Sequence, residues 1–138
     1  MQMPKRVKFR KLHRGRIRGR AQSGNLVEFG EFGLQVLDRG FITARQLEAG
    51  RVAASHFMGG EGRIWVRIFP WKPMSAKPAE VRMGTGKGDV EYWCSPVKPG
   101  TIIYEIGGIP EDAARTALNR IAHKLPMPVR LVKRRPKI

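Results

Sequence analysis

VRMGTGKGDVEYW, residues 81–93, places a glycine-rich basic loop between two segments of strand-like composition. The flanks, residues 79–83 and 90–95, carry the β-branched and aromatic side chains that suit a pleated, half-buried surface. Three glycines in the loop remove the Cβ atoms that would keep another backbone at a distance. We therefore predict a stiff hairpin whose tip can lie against phosphate. The tip is formed by Arg82, Met83, Gly84, Thr85, Gly86, Lys87 and Gly88.

This loop has two other interpretations. A glycine-rich hairpin tip can be no more than a flexible turn, which is the ordinary expectation for a surface loop. A nucleotide-binding P-loop is excluded, because that motif needs a helix directly after its lysine to supply part of the anion site. Here Lys87 is followed by Gly88 and then by the second strand. The rest of the chain has to decide between a turn and a binding site.

Outward from the loop, the clearest local signal predicts a helix that starts at Ala44. Thr43 and Gln46 have the spacing of a capping box, and Ile42 and Leu47 that of a hydrophobic staple. The pair Gly59-Gly60 is expected to end the helix, and Gly50 predicts close packing at its middle. The face expected to be buried carries Leu47, Ala54, Phe57 and Met58.

A second helix is predicted to open at Pro110, with Glu111 and Asp112 in its first turn, where the helix dipole favours anions. Its buried stripe is expected to contain Ala114, Ala117, Leu118, Ile121 and Leu125. Further strands are expected at 101–106 and 129–132, and two short strands with a kink at 26–37, where Phe29 and Phe32 would help to fill the core. Prolines 70, 73 and 78 suggest an extended connector. The order of elements predicts an α+β fold, with two helices packed on a largely antiparallel sheet.

The segment 63–69 alternates in character. Ile64, Val66 and Ile68 are predicted to face the core, whereas the other face interleaves Arg63 and Arg67 with two aromatic residues. Such a face suits the sugar and base surfaces of RNA. A sheet face covered by another strand would have the same composition, so both interpretations stay open.

Positive charge is concentrated at the two ends of the chain. Of a formal net charge of +16, residues 1–20 contribute nine Lys or Arg and no acid, and residues 124–138 contribute six and no acid. Residues 21–123 hold twelve bases and eleven acids. We therefore predict a basic N-terminal arm at 1–20, a nearly neutral globular body at 21–123 and a basic C-terminal segment at 124–138.

Arms of this kind need a polyanion as partner, and nucleic acid is the leading one, since each neutralised phosphate releases counterions. A membrane surface is disfavoured because no wide apolar helix face accompanies the N-terminal cations. No apolar run approaches the length of a membrane span or a signal peptide, so a soluble protein is expected. The single Cys94 is interpreted as a buried thiol.

Three classes of function fit a basic single-domain protein of 138 residues. An RNA-bound structural protein is favoured by the position of the charge. A free-standing nucleic-acid enzyme or nucleotide-binding protein is disfavoured, because clustered carboxylates and Cys–His or Ser–His pairs at recognisable spacing are missing. A DNA-packaging protein would need only the basic arms. No cofactor, metal, membrane partner or homo-oligomer is expected, and no catalytic residue is assigned.

Several of these motifs together resemble one known family, that of the bacterial large-subunit ribosomal protein sixteen (L16/L10e type). The loop 82–88, followed after four residues by Trp93, looks like the signature of that family. The resemblance continues over nearly the whole chain, in Pro4-Lys5-Arg6, Lys8-Phe9-Arg10-Lys11, Phe29-Gly30, Phe32-Gly33-Leu34, Thr43-Ala44-Arg45-Gln46, the segment 64–70 and Lys124-Leu125-Pro126. The chain departs from the family at residues 57–62, which lack the cations often found there.

The resemblance implies an α/β-hammerhead-like fold and a structural, non-catalytic role in the ribosome, with a bacterial or organellar origin left open. It implies binding to large-subunit rRNA near the peptidyl-transferase centre, beside neighbouring ribosomal proteins. Loop 82–88 would reach the corridor of the A-site tRNA, with contact to P-site tRNA left open. The implied rRNA-binding residues are Lys5, Arg6, Lys8, Arg10, Lys11, His13, Arg14, Arg16, Arg18, Arg20, Arg45, Arg51, Arg63 and Arg67.

Overall fold

The computed structural model describes residues 2–6, 8, 11–12, 15–75 and 90–135, and this part of the chain forms two helices and seven strands. The helices are α1 (Ala44–Met58) and α2 (Glu111–Ala122). The strands are β1 (Phe32–Val36), β2 (Gly40–Thr43), β3 (Arg63–Val66), β4 (Lys72–Ser75), β5 (Val90–Val97), β6 (Ile102–Gly107) and β7 (Val129–Lys133). The predicted α+β class with two helices is confirmed.

The strands form two antiparallel sheets, where the sequence suggested one. The larger sheet has the order β3-β6-β1-β7, and the smaller has the order β2-β5-β4. The predicted extended connector is partly wrong, because residues 72–75 of it form β4. Pro73 is tolerated there since β4 pairs only with β5 among the described strands, and prolines are confined to such edge positions.

Helix α1 begins and ends where the sequence predicts. The Thr43 hydroxyl accepts from the Gln46 backbone N–H at 3.1 Å, and the Gln46 side chain accepts from the Thr43 N–H at 2.9 Å. These reciprocal bonds satisfy two donors that a helix start leaves open. At the other end Gly59 adopts a left-handed conformation with φ of 61°, and its N–H donates to the Ser55 carbonyl at 3.1 Å.

The core lies between the two helices and the larger sheet. Leu47 and Ala54 of α1 are buried, as are Ala114, Ala117, Leu118 and Ile121 of α2. The predicted close approach at Gly50 is confirmed, since a Cβ there would come within 2.7 Å of the Tyr104 hydroxyl. That hydroxyl donates to the Leu47 carbonyl at 2.6 Å and so fixes α1 to β6. The prediction for Phe57 is wrong: the ring is 37% exposed and lies under the Arg120 guanidinium.

The segment before β1 also differs from its prediction. One strand forms in place of two, and Phe32 is buried while Phe29 is 56% exposed and stacks on Trp65. The reason is a carboxylate on β6: Glu105 Oε1 accepts the backbone N–H groups of Glu28, Phe29 and Gly30 at 2.8 to 2.9 Å. With these donors bound to a side chain, residues 28–30 cannot extend the strand ladder.

The predicted final strand is confirmed as β7, which pairs with β1 along its whole length. Val129 and Leu131 pack against the core. The segment that begins at residue 124 therefore contributes an edge strand to the larger sheet before its last described residues, 134 and 135.

Candidate nucleic-acid interface

The N-terminal arm presents its described cations to solvent. All seven that the structure describes are exposed: Lys5, Arg6, Lys8, Lys11, Arg16, Arg18 and Arg20. Glycines with positive φ occur at 15 and 19, and no helix or strand forms among the described residues before β1. The arm therefore carries a series of cations on a backbone that has no regular secondary structure in its described residues.

The C-terminal half of the arm lies beside the smaller sheet. The Ala21 N–H donates to the Pro99 carbonyl at 2.9 Å, and Arg39 Nη1 donates to the Ile17 carbonyl at 3.2 Å. Between residues 15–18 and the body is a hollow of about 490 Å³, whose opposite wall includes Trp71 and Lys98. Lys98 is an exposed cation that was not predicted from the sequence. The sequence signal that could have revealed Lys98 was its position in the turn between β5 and β6.

The start of the arm lies at the other end of the same sheet. Gln2 and Met3 share a hollow of about 370 Å³ with residues 43–45 and 91–93. Arg45 is exposed in the first turn of α1. Strand β5 starts directly after residues 76–89, and its residues 91–93 line this hollow together with the start of the arm and Arg45. The fold thus brings two predicted RNA-binding elements, the start of the arm and Arg45, to the first residues of β5.

Part of the predicted site lies outside the described residues. In the arm this concerns Arg10, His13 and Arg14. In the hairpin it concerns the predicted strand at 79–83 and the whole loop, namely Arg82, Met83, Gly84, Thr85, Gly86, Lys87 and Gly88. Their roles stay predictions.

Arg51 lies further along α1 and is engaged within the protein. Its guanidinium makes two hydrogen bonds to the Glu48 carboxylate, one of them from Nε at 3.1 Å. Hydrogen bonding from Arg51 holds the pKa of Glu48 below its ordinary value. Both side chains stay accessible, so Arg51 can still reach a phosphate, but it would share its charge with Glu48.

Arg63 and Arg67 lie in β3 and directly after it, at the edge of the larger sheet. Arg63 is exposed at the start of the edge strand β3. The Arg67 side chain is only 14% exposed, forms an ion pair with the fully buried Glu105 and lies 3.8 Å from Glu28. Its guanidinium also stacks 5.0 Å from the centre of the Phe29 ring. Arg67 is thus engaged within the protein, and its role in RNA binding stays a prediction.

Glu105 organises this cluster, and it was not predicted from the sequence. Burial alone would raise the pKa of its carboxyl group, but the N–H donors of Gly30 and Phe29 and the Arg67 guanidinium together lower the pKa below its ordinary value. The carboxylate therefore stays ionised and ties residues 28–30 to β6. A glutamate in an apolar strand next to Tyr104 and Ile106 was the signal that could have revealed it.

Two further properties of the described residues bear on function. Within the described ranges, no group of three His, Cys, Asp or Glu side chains is arranged to hold a metal ion. Neither α1 nor α2 has the length and apolar character needed to cross a membrane.

The chain is similar to known proteins over nearly its whole length. The model of the family "Ribosomal protein L16p/L10e" matches residues 4–132. The chain is also 52% identical over 134 residues to the large ribosomal subunit protein uL16 of Heliobacterium modesticaldum, an alignment that covers 97% of this chain and 93% of that protein. The chain therefore belongs to the ribosomal protein L16p/L10e family and is a structural, non-enzymatic constituent of the large subunit of the cytoplasmic ribosome.

Proposed function

We propose that this protein binds large-subunit rRNA near the peptidyl-transferase centre through its N-terminal arm and the side of the body that faces the arm. In the same proposal, loop 82–88 extends from that side and lines the path of the A-site tRNA. Neighbouring ribosomal proteins complete its surroundings. The protein acts by holding RNA in place and performs no chemistry of its own.

The observation that carries the proposal is where the cations lie. In the body, Arg51, Arg67 and Arg115 each reach a carboxylate of the protein itself. The arm at 1–20 contains no acid, and all its described cations are exposed. Charge arranged in this way favours a phosphate backbone as partner, because the counterions released by each neutralised phosphate supply affinity.

The arm contributes chiefly arginine in its second half, and this affects how it would bind. Arg14, Arg16, Arg18 and Arg20 alternate with other residues. A planar guanidinium can donate two parallel hydrogen bonds to phosphate oxygens and can stack on a base, which an ammonium group cannot do. We expect this half of the arm to pass between rRNA helices while its backbone bonds at Ile17 and Ala21 fix it to the body.

The body arginines contribute unequally in this proposal. Arg45 and Arg63 are exposed and can bind phosphate directly. Arg51 would do so in competition with Glu48, and Arg67 would have to leave a buried carboxylate. We therefore expect substitutions of Arg45 and Arg63 to weaken rRNA binding more than substitution of Arg51, and those of Arg67 to act mainly through stability.

The proposal is tested with large subunits depleted of the protein and then reconstituted with variants. Chemical footprinting should show that the wild-type protein protects rRNA around the A site. The variant Lys87→Ala should rejoin the subunit but bind A-site tRNA several-fold more weakly. A loss of this size is expected because Lys87 is a cation of the loop proposed to face the tRNA backbone.

The matched control is Arg115→Ala, which removes one exposed cation on α2 that pairs with Glu111. It should leave A-site tRNA affinity unchanged. Footprints confined to nucleotides far from the A site, or equal tRNA affinity for Lys87→Ala and wild type, would contradict the proposal for the loop.

A further inference from the structure

The C-terminal end of the chain forms a second cationic surface, on the larger sheet. Strand β7 is an edge strand that pairs with β1 alone among the described strands. Val129 and Leu131 pack against the core, so the alternation of a strand turns Arg130 and Val132 to the opposite face, which the helices do not cover. Arg134 and Arg135 follow directly and are exposed.

This face carries a groove of about 580 Å³. One wall is formed by residues 25–28, the other by residues 130–135, and Gln35 of β1 lies between them. Arg130 Nε donates to the Gln35 side chain at 2.9 Å, which positions its guanidinium across the β1–β7 pair. Backbone pairing continues past the end of β7, since the Arg134 N–H donates to the Glu31 carbonyl at 2.9 Å.

The wall at residues 25–28 is held in place by the body. The Ile102 N–H donates to the Gly24 carbonyl at 2.9 Å, and Glu105 accepts from the N–H of Glu28. Val27 packs so closely on β1 that a Cβ on Gly33 would come within 2.7 Å of its Cγ2 atom. The groove is therefore preformed, and an occupant would not have to order this wall.

The charges at the groove are mostly positive. Lys133 pairs with Glu111 at 2.8 Å, and Glu28 lies 3.8 Å from Arg67. Arg130 is bonded to a neutral amide, and within the described ranges neither Arg134 nor Arg135 makes an ion pair. Three arginines at one groove thus have guanidinium donors directed at no carboxylate of the described protein. This arrangement suits phosphate, which arginine binds with paired hydrogen bonds.

From this geometry we infer that the β7 groove is a second RNA-binding site, in which Arg130, Arg134 and Arg135 hold the phosphate backbone of an rRNA segment separate from the one bound by the N-terminal arm. The inference rests on the proposed function in that the RNA is ribosomal. It goes beyond the family match, which ends at residue 132, because two of the three arginines lie past that point.

The test measures affinity for large-subunit rRNA against salt concentration with the full-length protein. The variant Arg130→Gln/Arg134→Gln/Arg135→Gln should flatten the slope of log affinity against log salt by about 2 to 3, at about 0.7 to 0.9 for each phosphate that is no longer neutralised. The corresponding Arg→Lys variant, which keeps the charge, should retain the slope. The double variant Arg134→Gln/Arg135→Gln lies beyond β7 and tests the site without changing the sheet.

A variant of equal charge in the arm, Arg16→Gln/Arg18→Gln/Arg20→Gln, distinguishes this inference from the proposed function. In footprints on the reconstituted subunit, the two variants should lose protection of different nucleotides. If the arm variant flattens the slope and the C-terminal variants do not, the groove is not an RNA site, while the proposed function stands. If the C-terminal variants keep the wild-type salt slope but lose a crosslink to a neighbouring ribosomal protein, the groove binds an acidic protein segment instead of RNA. Absence of salt-dependent rRNA binding by the wild type would refute both.

Discussion

The cluster around Glu105 and the N-terminal arm use arginine in opposite ways. At the cluster, Arg67 is largely buried and its charge is neutralised by a carboxylate that also binds three backbone N–H groups. In the arm, arginines stand exposed on a segment with no acid. Arginine in the cluster therefore stabilises the fold, and arginine in the arm is available to an external anion. The difference shows that the role of an arginine depends on its burial and on whether a carboxylate lies beside it.

The largest expected effect on stability comes from removing the centre of the cluster. Glu105→Ala leaves Arg67 without its buried partner and three N–H groups without an acceptor, which should lower the free energy of unfolding by about 3 to 5 kcal/mol. Urea denaturation measures the loss. Because the arm is untouched, the salt slope of rRNA binding by the folded protein should stay at the wild-type value.

Two further variants sharpen this result. Glu105→Gln keeps an oxygen that can accept the N–H groups and should lose less stability than the alanine variant. Glu61→Ala, which changes an exposed acid after α1, should change the unfolding free energy by less than about 0.5 kcal/mol. A Glu105→Ala protein as stable as wild type would mean that the cluster does not hold the fold.

A smaller effect of the same carboxylate is expected on acidification. The pKa of Glu105 is lowered in the folded protein, so its contribution to stability is complete above the unfolded-state pKa of about 4.3 and is lost as pH falls through the lower folded-state value. Urea midpoints measured at pH 7 and at successively lower pH should fall further for wild type than for Glu105→Gln. Equal falls in the two proteins would contradict the assignment of this carboxylate as the ionised centre.

The smallest of these effects concerns the start of α1. Thr43→Ala removes the side-chain acceptor of the capping box and should cost about 1 kcal/mol of unfolding free energy. Thr43→Ser keeps the hydroxyl and is the matched control. Thermal denaturation followed by circular dichroism distinguishes the two variants, and the salt slope of rRNA binding should again not change. If the Thr43→Ala protein unfolds at the same temperature as the Thr43→Ser protein, the cap is not a source of stability.

Elements of the fold differ in how far the sequence predicts them. The ends of α1 were predicted because Thr43, Gln46 and Gly59 act on neighbours a few residues away. Strands β2 and β4 were not, since each has only four residues and is defined by its pairing with β5, far along the chain.

The same limit explains why the surroundings of Arg67 and Phe29 were not predicted. Arg67 belongs to an alternating segment that suits RNA, and only the fold brings Glu105, 38 positions away, to its guanidinium. Phe29 was wrongly predicted to lie in the core, because the sequence does not show that Glu105 binds the backbone of residues 28–30. The charge of the arm could be read directly, because it depends on composition alone, whereas the path of the arm along the smaller sheet depends on bonds at Pro99 and Ile17.

The salt slope of rRNA binding by a protein lacking residues 1–20 tests the central claim most directly. The arm contributes nine Lys or Arg. If each neutralises one phosphate, the deletion should flatten the slope by about 6 to 8, while the body keeps a cooperative unfolding transition. A deleted protein that folds and binds rRNA with the slope of the full-length chain would contradict the account.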